Sequence, residues 1–351
     1  MKNGKHLTLA IETSCDETAV AVLADGCEIL SNVISSQIDV HRAFGGVVPE
    51  IASRHHLQNL NAVFAAALEE AGITLEEVDE IGVAPGPGLA GALLMGTAFA
   101  KAVTFAARKP LVAVHHIQAH IMANLIEHPM LQPPFMALVV SGGHTHLIGV
   151  EGYNQFRIWG KTRDDAVGEA FDKVARVLGL GYPGGPRIDE VAVFGDPEAV
   201  PFKRVYLEKG SLDFSFSGIK TGVINYLHTQ KQRGNPVNVP DVAAGFQAAV
   251  VEVLTDKAMM AIERTSYGTL ALAGGVASNR LLRQKLKEAC ERKGVRLCIP
   301  SPILCTDNAA MVACAAYHKQ QMGKYSDLYL DVWPGLSIET GLSLLDAKPQ
   351  N

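Results

Sequence analysis

Two histidines stand four residues apart in His116-Ile-Gln-Ala-His120. On a helix that spacing puts both imidazoles on one face, one turn apart, within reach of a single metal ion. The alternative is a pair of surface or cleft histidines with no ligand. The pair opens a helix directly after the apolar run 111–114, where a cleft residue is expected, and this favours the metal. Zincin proteases share the spacing but need a glutamate after the first histidine as general base. This chain has Ile117 there, which cannot take a proton.

Glycine-rich turns form the second set. Val140-Ser141-Gly142-Gly143-His144-Thr145 lies between two expected strands, and its backbone N–H groups and hydroxyls suit an anion. Gly274-Gly275-Val276-Ala277-Ser278-Asn279 follows a strand and opens a helix. Its glycines let a flat ring approach the backbone, and Asn279 offers donors and an acceptor to a nucleotide. Tyr182-Pro183-Gly184-Gly185-Pro186 and Pro85-Gly86-Pro87-Gly88 read as tight turns. Each alone is an ordinary turn; several at strand ends in both halves point to a nucleotide cleft. Three acids complete the set. Asp307 reads as a helix N-cap, and Asp172 as a solvated helix charge. Glu12 ends the first strand beside the acidic, hydroxyl-rich turn Thr13-Ser14-Cys15-Asp16-Glu17-Thr18, which suits metal-bound water or substrate.

The elements that must position these residues follow from periodicity and turn signals. Strands are predicted at 7–12, 17–24 and 27–34, the last two joined by the hairpin signal Asp25-Gly26. A helix over 47–72, a strand at 79–84, a helix over 88–107, a strand at 111–115 and a helix over 116–127 follow. The pattern then restarts, with strands at 135–141, 145–150 and 156–161 and helices over 166–179, 217–230 and 240–266. A strand at 269–273, a helix over 278–293, a strand at 295–299 and a helix over 307–323 complete it. Three antiparallel strands followed by alternating helices and strands, twice over, predict a duplicated α/β fold of two lobes around a nucleotide cleft. His128-Pro129 and Pro133-Pro134 place the boundary so that residues 1–127 form one lobe and 128–351 the other, with the last helices free to pack back on the first.

Composition limits the remaining classes. The chain has 351 residues, 48% of them hydrophobic, and no low-complexity tract, which argues for packed domains. The N-terminus reaches Glu12 too early for a signal peptide. The most apolar stretch, 88–107, is rich in Gly and Ala and ends in charge, and it is read as no membrane span. The six cysteines show no CxxC spacing, which suits reduced thiols and a cytoplasmic protein. A net charge of −5 is a mild argument against nucleic acid.

Taken together, IETSCDET (11–18), GGVVPEIASRHH (45–56), PGPGLAGALLMG (85–96), HIQAH (116–120), VSGGHT (140–145), GEAFDKVA (168–175), YPGGP (182–186), FSFSGIKT (214–221), GGVASN (274–279) and CTDNAAM (305–311) resemble the TsaD family of tRNA N6-adenosine threonylcarbamoyltransferases, once called glycoproteases. The resemblance runs from Leu7 to Leu342. It implies the duplicated fold of actin, Hsp70 and sugar kinases. It also implies one divalent metal on His116, His120 and Asp307, with Fe(II) favoured over Zn(II). A nucleotide or substrate site would be lined by Val139, Val140, Ser141, Gly142, Gly143, Asp172, Gly185, Gly274, Gly275 and Asn279, with Asp189 facing the ribose.

The implied reaction is transfer of threonylcarbamoyl from threonylcarbamoyl-AMP to N6 of adenosine 37 in tRNAs reading codons that begin with A. Glu12 is the candidate general base. The implied partners are tRNA, an inactive TsaB-like paralogue and a small TsaE-like ATPase, with a TsaC-like enzyme supplying the adenylate and no membrane. Basic groups for tRNA are Lys203-Arg204, Lys231, Arg233, and Arg283, Lys285 and Lys287 on one helix; alone, each reads as solvated charge. The competing functions are a small-molecule kinase of this fold, a metallopeptidase, and a non-catalytic scaffold.

Overall fold

In a computed structural model, which describes residues 4–347, the first three apolar runs form β1 (Leu7–Glu12), β2 (Glu17–Ala24) and β3 (Glu28–Ser36). β1 is buried along its whole length, as a central strand covered on both faces must be. Asp25 and Gly26 both have positive φ, and Cys27 N donates to Ala24 O at 3.3 Å. This is the primed turn that matches strand twist. The chain continues through α1 (Ile38–Arg42), α2 (Pro49–Ala71), β4 (Glu80–Val83), α3 (Ala90–Ala107), β5 (Leu111–Ala113) and α4 (His116–Glu127).

The pattern then repeats with β6 (Phe135–Val140), β7 (Thr145–Gly152), β8 (Gln155–Lys161), α5 (Val167–Val177), α6 (Gly184–Ala192), α7 (Ser217–Arg233), α8 (Val239–Thr265), β9 (Thr269–Ala273), α9 (Arg280–Lys293) and β10 (Arg296–Cys298). The short α10 (Pro302–Cys305) and α11 (Ala309–Gln321) follow. The two five-stranded sheets run β3-β2-β1-β4-β5 and β8-β7-β6-β9-β10. In each, the leading strand pairs antiparallel with the second and parallel with the fourth. The duplication is therefore one of topology as well as element order.

Two compact units result. One holds the chain through Pro133, Glu151–Phe156, and everything from Pro300; the other holds Pro134–Val150 and Arg157–Ile299. The boundary drawn after residue 127 falls short of Pro133, because His128 N bonds Asn124 O and Leu131 N bonds His128 O, continuing the fold of α4. The chain from Pro300 belongs to the first unit. There α11 lies so close on the sheet that a Cβ on Gly82 would meet Ala316 Cβ at 2.9 Å.

Three further expectations change. α6 begins inside what reads as a tight turn, since glycines and proline signal a break. Pro186 is in the first turn, where no intrahelical N–H bond is required, and Asp172 Oδ1 accepts from Gly184 N at 2.7 Å. Asp307 is not the cap of α11: Asn308 is, its side chain accepting from Met311 N. By length and composition α3 does reach what a bilayer span requires. It packs against α2 and β4, and its Lys101 donates to Leu330 O at 3.0 Å.

Candidate metal centre

The first unit builds the metal set from α4 and the chain just before α11. His115 caps α4, its Nδ1 accepting from Ile117 N at 3.1 Å. His116 N donates to Gly86 O at 2.8 Å, so the Pro85–Gly88 loop fixes the first turn. The His116 and His120 rings meet edge-on with centroids 4.6 Å apart. Because Asn308 takes the capping role, the Asp307 carboxylate is left to face the histidines. Its Oδ1 lies 3.0 Å from His120 Nε2 and 3.6 Å from His116 Nε2. The three residues each offer a ligand atom within 4.8 Å of the others, and no metal-competent group of this kind is found elsewhere among the described residues.

The residues fit a metal. His120 is 1% exposed, yet its Nε2 makes no hydrogen bond of acceptable geometry. A buried polar atom without a partner is costly, and a cation facing Asp307 would satisfy it. Two imidazoles and one carboxylate are a common donor set for Zn(II) and non-haem Fe(II).

Glu12 is fully buried and supports this set from behind. Its Oε1 accepts from Ser14 N at 2.6 Å, and its Oε2 lies 3.3 Å from His116 Nδ1. Ser14 Oγ is 3.1 Å from the same nitrogen. Burial disfavours a charged His116, but Glu12 and Asp307 outweigh it and raise the ring to about 9. With no metal bound, His116 is thus a cation at neutral pH. The neighbouring Cys15 thiol is pushed well up by burial, then by Asp16 and Asp307. The hydroxyls of the turn serve structure: Thr13 Oγ1 donates to Ala92 O at 2.8 Å, and Thr18 Oγ1 pairs with His56 Nδ1 at 2.8 Å.

The second unit gathers the glycine turns. Val139 and Val140 are wholly buried in β6, so only their backbone can face a ligand. Ser141 N bonds His144 O at 2.8 Å and Ser141 Oγ accepts from His144 N at 3.1 Å. Between them, Gly142 and Gly143 are exposed with open space beside them. Gly274 has φ +89°, and a Cβ there would stand 2.4 Å from Val140 O. Only glycine brings the end of β9 so close to the end of β6, and the 139–143 and 274–279 segments become neighbours.

The polar members are partly committed. Asn279 Oδ1 caps α9 by accepting from Leu282 N at 3.0 Å. Asp189 accepts from Gln247 Nε2 at 2.9 Å and Arg280 Nε at 2.6 Å. Asp172 holds the start of α6, and Gly185 beside it has nothing within 4 Å of a would-be Cβ. A groove of about 720 Å³ runs along α6, α8 and α9, bordered by Asp189, Gln247, Arg280 and Glu288. Sequence reasoning missed His115, Gln247 and Arg280. Arg280, next to Asn279, was within reach of it; Gln247 lies mid-helix among apolar residues with no signal.

Comparison with known proteins gives these geometries a lineage. A family model described as tRNA N6-adenosine threonylcarbamoyltransferase, TsaD, matches residues 28–314. A protein of that name from Clostridium beijerinckii is 54% identical over 95% of this chain and 98% of its own. One from Clostridioides difficile is 53% identical over 95% of this chain and 98% of its own. Among solved structures, full-length HypF in a phosphate- and nucleotide-bound form superposes with a TM-score of 0.61 at 13% identity, covering 90% of this chain and 46% of that one. Component A of the Acidaminococcus fermentans (R)-2-hydroxyglutaryl-CoA dehydratase gives 0.54 at 17% identity, covering 90% and 99%. These two likenesses concern the fold, which is the duplicated actin/Hsp70/sugar-kinase type. With a family model spanning most of its length and relatives more than half identical across nearly all of it, the chain belongs to the TsaD family of tRNA N6-adenosine threonylcarbamoyltransferases.

Proposed function

We propose that this chain transfers the threonylcarbamoyl group of threonylcarbamoyl-AMP to N6 of adenosine 37 in tRNAs reading codons that begin with A. The observation that carries the reading is the His116, His120 and Asp307 set, backed by Glu12, in a chain of this family. The three side chains would hold one divalent ion, Fe(II) or Zn(II), leaving coordination positions free for substrate. When bound, such an ion polarises a carbonyl and orients a phosphate.

The remaining work falls to the chain itself. An exocyclic aromatic amine is a weak nucleophile, so positioning within about 3–3.5 Å of the carbamoyl carbon matters most. The backbone of the Ser141–His144 turn would receive the adenylate phosphate, whose charge suits exposed N–H groups. Gly274, Gly275, Gly185 and the amide nitrogen of Asn279 would border the adenine and ribose. Asp189, already accepting from Gln247 and Arg280, would meet a ribose hydroxyl with its remaining lone pairs. Glu12 is better placed to orient His116 than to take a proton from substrate, because both its oxygens already face Ser14 and His116.

A TsaB-like paralogue is the expected partner. Leu57 on α2 and Leu94 and Phe105 on α3 are large apolar side chains left exposed in the first unit, which suits a helical partner face. TsaE-like and TsaC-like proteins would complete the system. Among the described residues the six cysteines form no disulfide, which suits a reducing compartment such as the cytoplasm. The test is reconstitution of the chain with those partners, tRNA, threonine, bicarbonate and ATP, followed by nucleoside analysis. Threonylcarbamoyladenosine is expected; phosphorylation of a small acceptor, or cleavage of a peptide, would favour the kinase or peptidase reading.

A further inference from the structure

Among the described residues, the chain after α11 carries only a short 3-10 turn, Leu342–Leu345, and lies beyond the family-model match that ends at residue 314. It is nevertheless hydrogen-bonded to the 85–88 loop and to His115, the cap of the metal helix. Trp333 N donates to Pro85 O at 2.9 Å, and Gly88 N donates to Pro334 O at 3.1 Å. Trp333 O lies 2.1 Å from where a Cβ on Gly86 would stand, and Gly86 O is the acceptor for His116 N. Leu336 O is 3.1 Å from His115 Nε2.

The segment is tied down on both sides. Ser326 N bonds Leu111 O at 2.8 Å, and Ala113 N bonds Ser326 Oγ at 3.0 Å. Lys319, 1% exposed, bridges Ala113 O at 2.7 Å and Asp346 Oδ1 at 2.8 Å. Leu330, Leu336, Leu342 and Leu345 join the core of β1, β4 and β5.

His115 is the link between this segment and the metal helix. A Ser, Thr, Asp or Asn cap would satisfy Ile117 N equally well, but only an imidazole also carries a second, opposed nitrogen that reaches Leu336 O. The ring accepts at Nδ1 and donates at Nε2, so one side chain fixes both the helix cap and its distance from the tail. We infer that the Trp333–Leu336 segment, acting through His115 and the Gly86 carbonyl, is a positioning element that sets the rotation of the first turn of α4 and thereby the spacing of His116 Nε2 from His120 and Asp307. The inference rests on the metal reading of those three residues.

Co(II) titration of the full chain tests it, because the visible spectrum reports coordination geometry independently of turnover. His115→Asn keeps a cap and loses the tail link. It should lower Co(II) affinity by at least about tenfold, the scale of lost outer-shell support, and alter the visible bands, while adenine nucleotide affinity of the other unit stays native. Should His115→Asn fail to fold, Ser326→Ala, which loosens only the tail's anchor on β5, is expected to shift the same bands. Native affinity and an unchanged spectrum in a folded variant would overturn the positioning role. Absence of Co(II) binding by the unaltered chain would instead remove the metal reading beneath it.

Discussion

His116 shows how much one side chain's surroundings decide. Its pair with His120 was legible from spacing alone, whereas the third candidate ligand, Asp307, came only with the family resemblance. Asp307 precedes a helix and reads as a cap, and only the structure gives that role to Asn308. The charges facing His116 have a measurable consequence. A ligating imidazole must be neutral, whereas the metal-free ring stays protonated up to about pH 9. Metal binding at pH 7 should therefore release a proton, and affinity should rise about tenfold per pH unit before levelling near pH 9. Stability of the metal-free chain runs the other way. The folded value lies above the ordinary 6.5, so the contribution of His116 is full below that pH and is lost as pH rises through about 9. Calorimetry with Zn(II) in buffers of different ionisation enthalpy counts the protons; uptake without release at pH 7 would contradict this. Glu12→Gln should reduce both the release and, by about 10–100-fold, the affinity.

At the scale of elements, most helices and strands were legible because each has an apolar stripe or run bounded by a recognisable stop, as α2 ends at Gly72 in the left-handed conformation. α6 was not, since its start is held by Asp172 from another helix rather than by any residue of its own. α9 makes a sharper case, because Asn279 caps it and, on the proposed reading, also meets the nucleotide. Asn279→Ala should cost about 1 kcal/mol of stability for the lost cap and about 1–3 kcal/mol of adenine nucleotide affinity for the lost hydrogen bonds. Asn279→Ser keeps the cap and should recover the stability without the affinity. Thermal melts and nucleotide titrations on both variants separate the duties. Equal nucleotide affinity in all three proteins would mean that Asn279 serves only the helix.

For the whole molecule, the repeated element order revealed the duplication, but the tail after α11 has no periodicity to read and its return to the first sheet depends on contacts far apart in sequence. Net charge is a property of the same scale. At −5 the chain does not attract a polyanion at long range, so the isolated chain should bind tRNA weakly and with steep salt dependence, and more tightly with partners present. Fluorescence anisotropy across a salt series checks this; submicromolar binding by the chain alone at physiological salt, unchanged by partners, would show that a local basic face dominates. The account as a whole stands on threonylcarbamoyl transfer that depends on the His116, His120 and Asp307 set. The most direct measurement is mass-spectrometric nucleoside analysis of tRNA from the reconstituted reaction, run with the unaltered chain and with a folded His120→Ala variant. The account predicts threonylcarbamoyladenosine from the first and a loss of at least about a hundredfold from the second, the scale of removing an electrostatic group that acts on the transition state. Equal yields from the two, or none from the unaltered chain with every partner present, would contradict it.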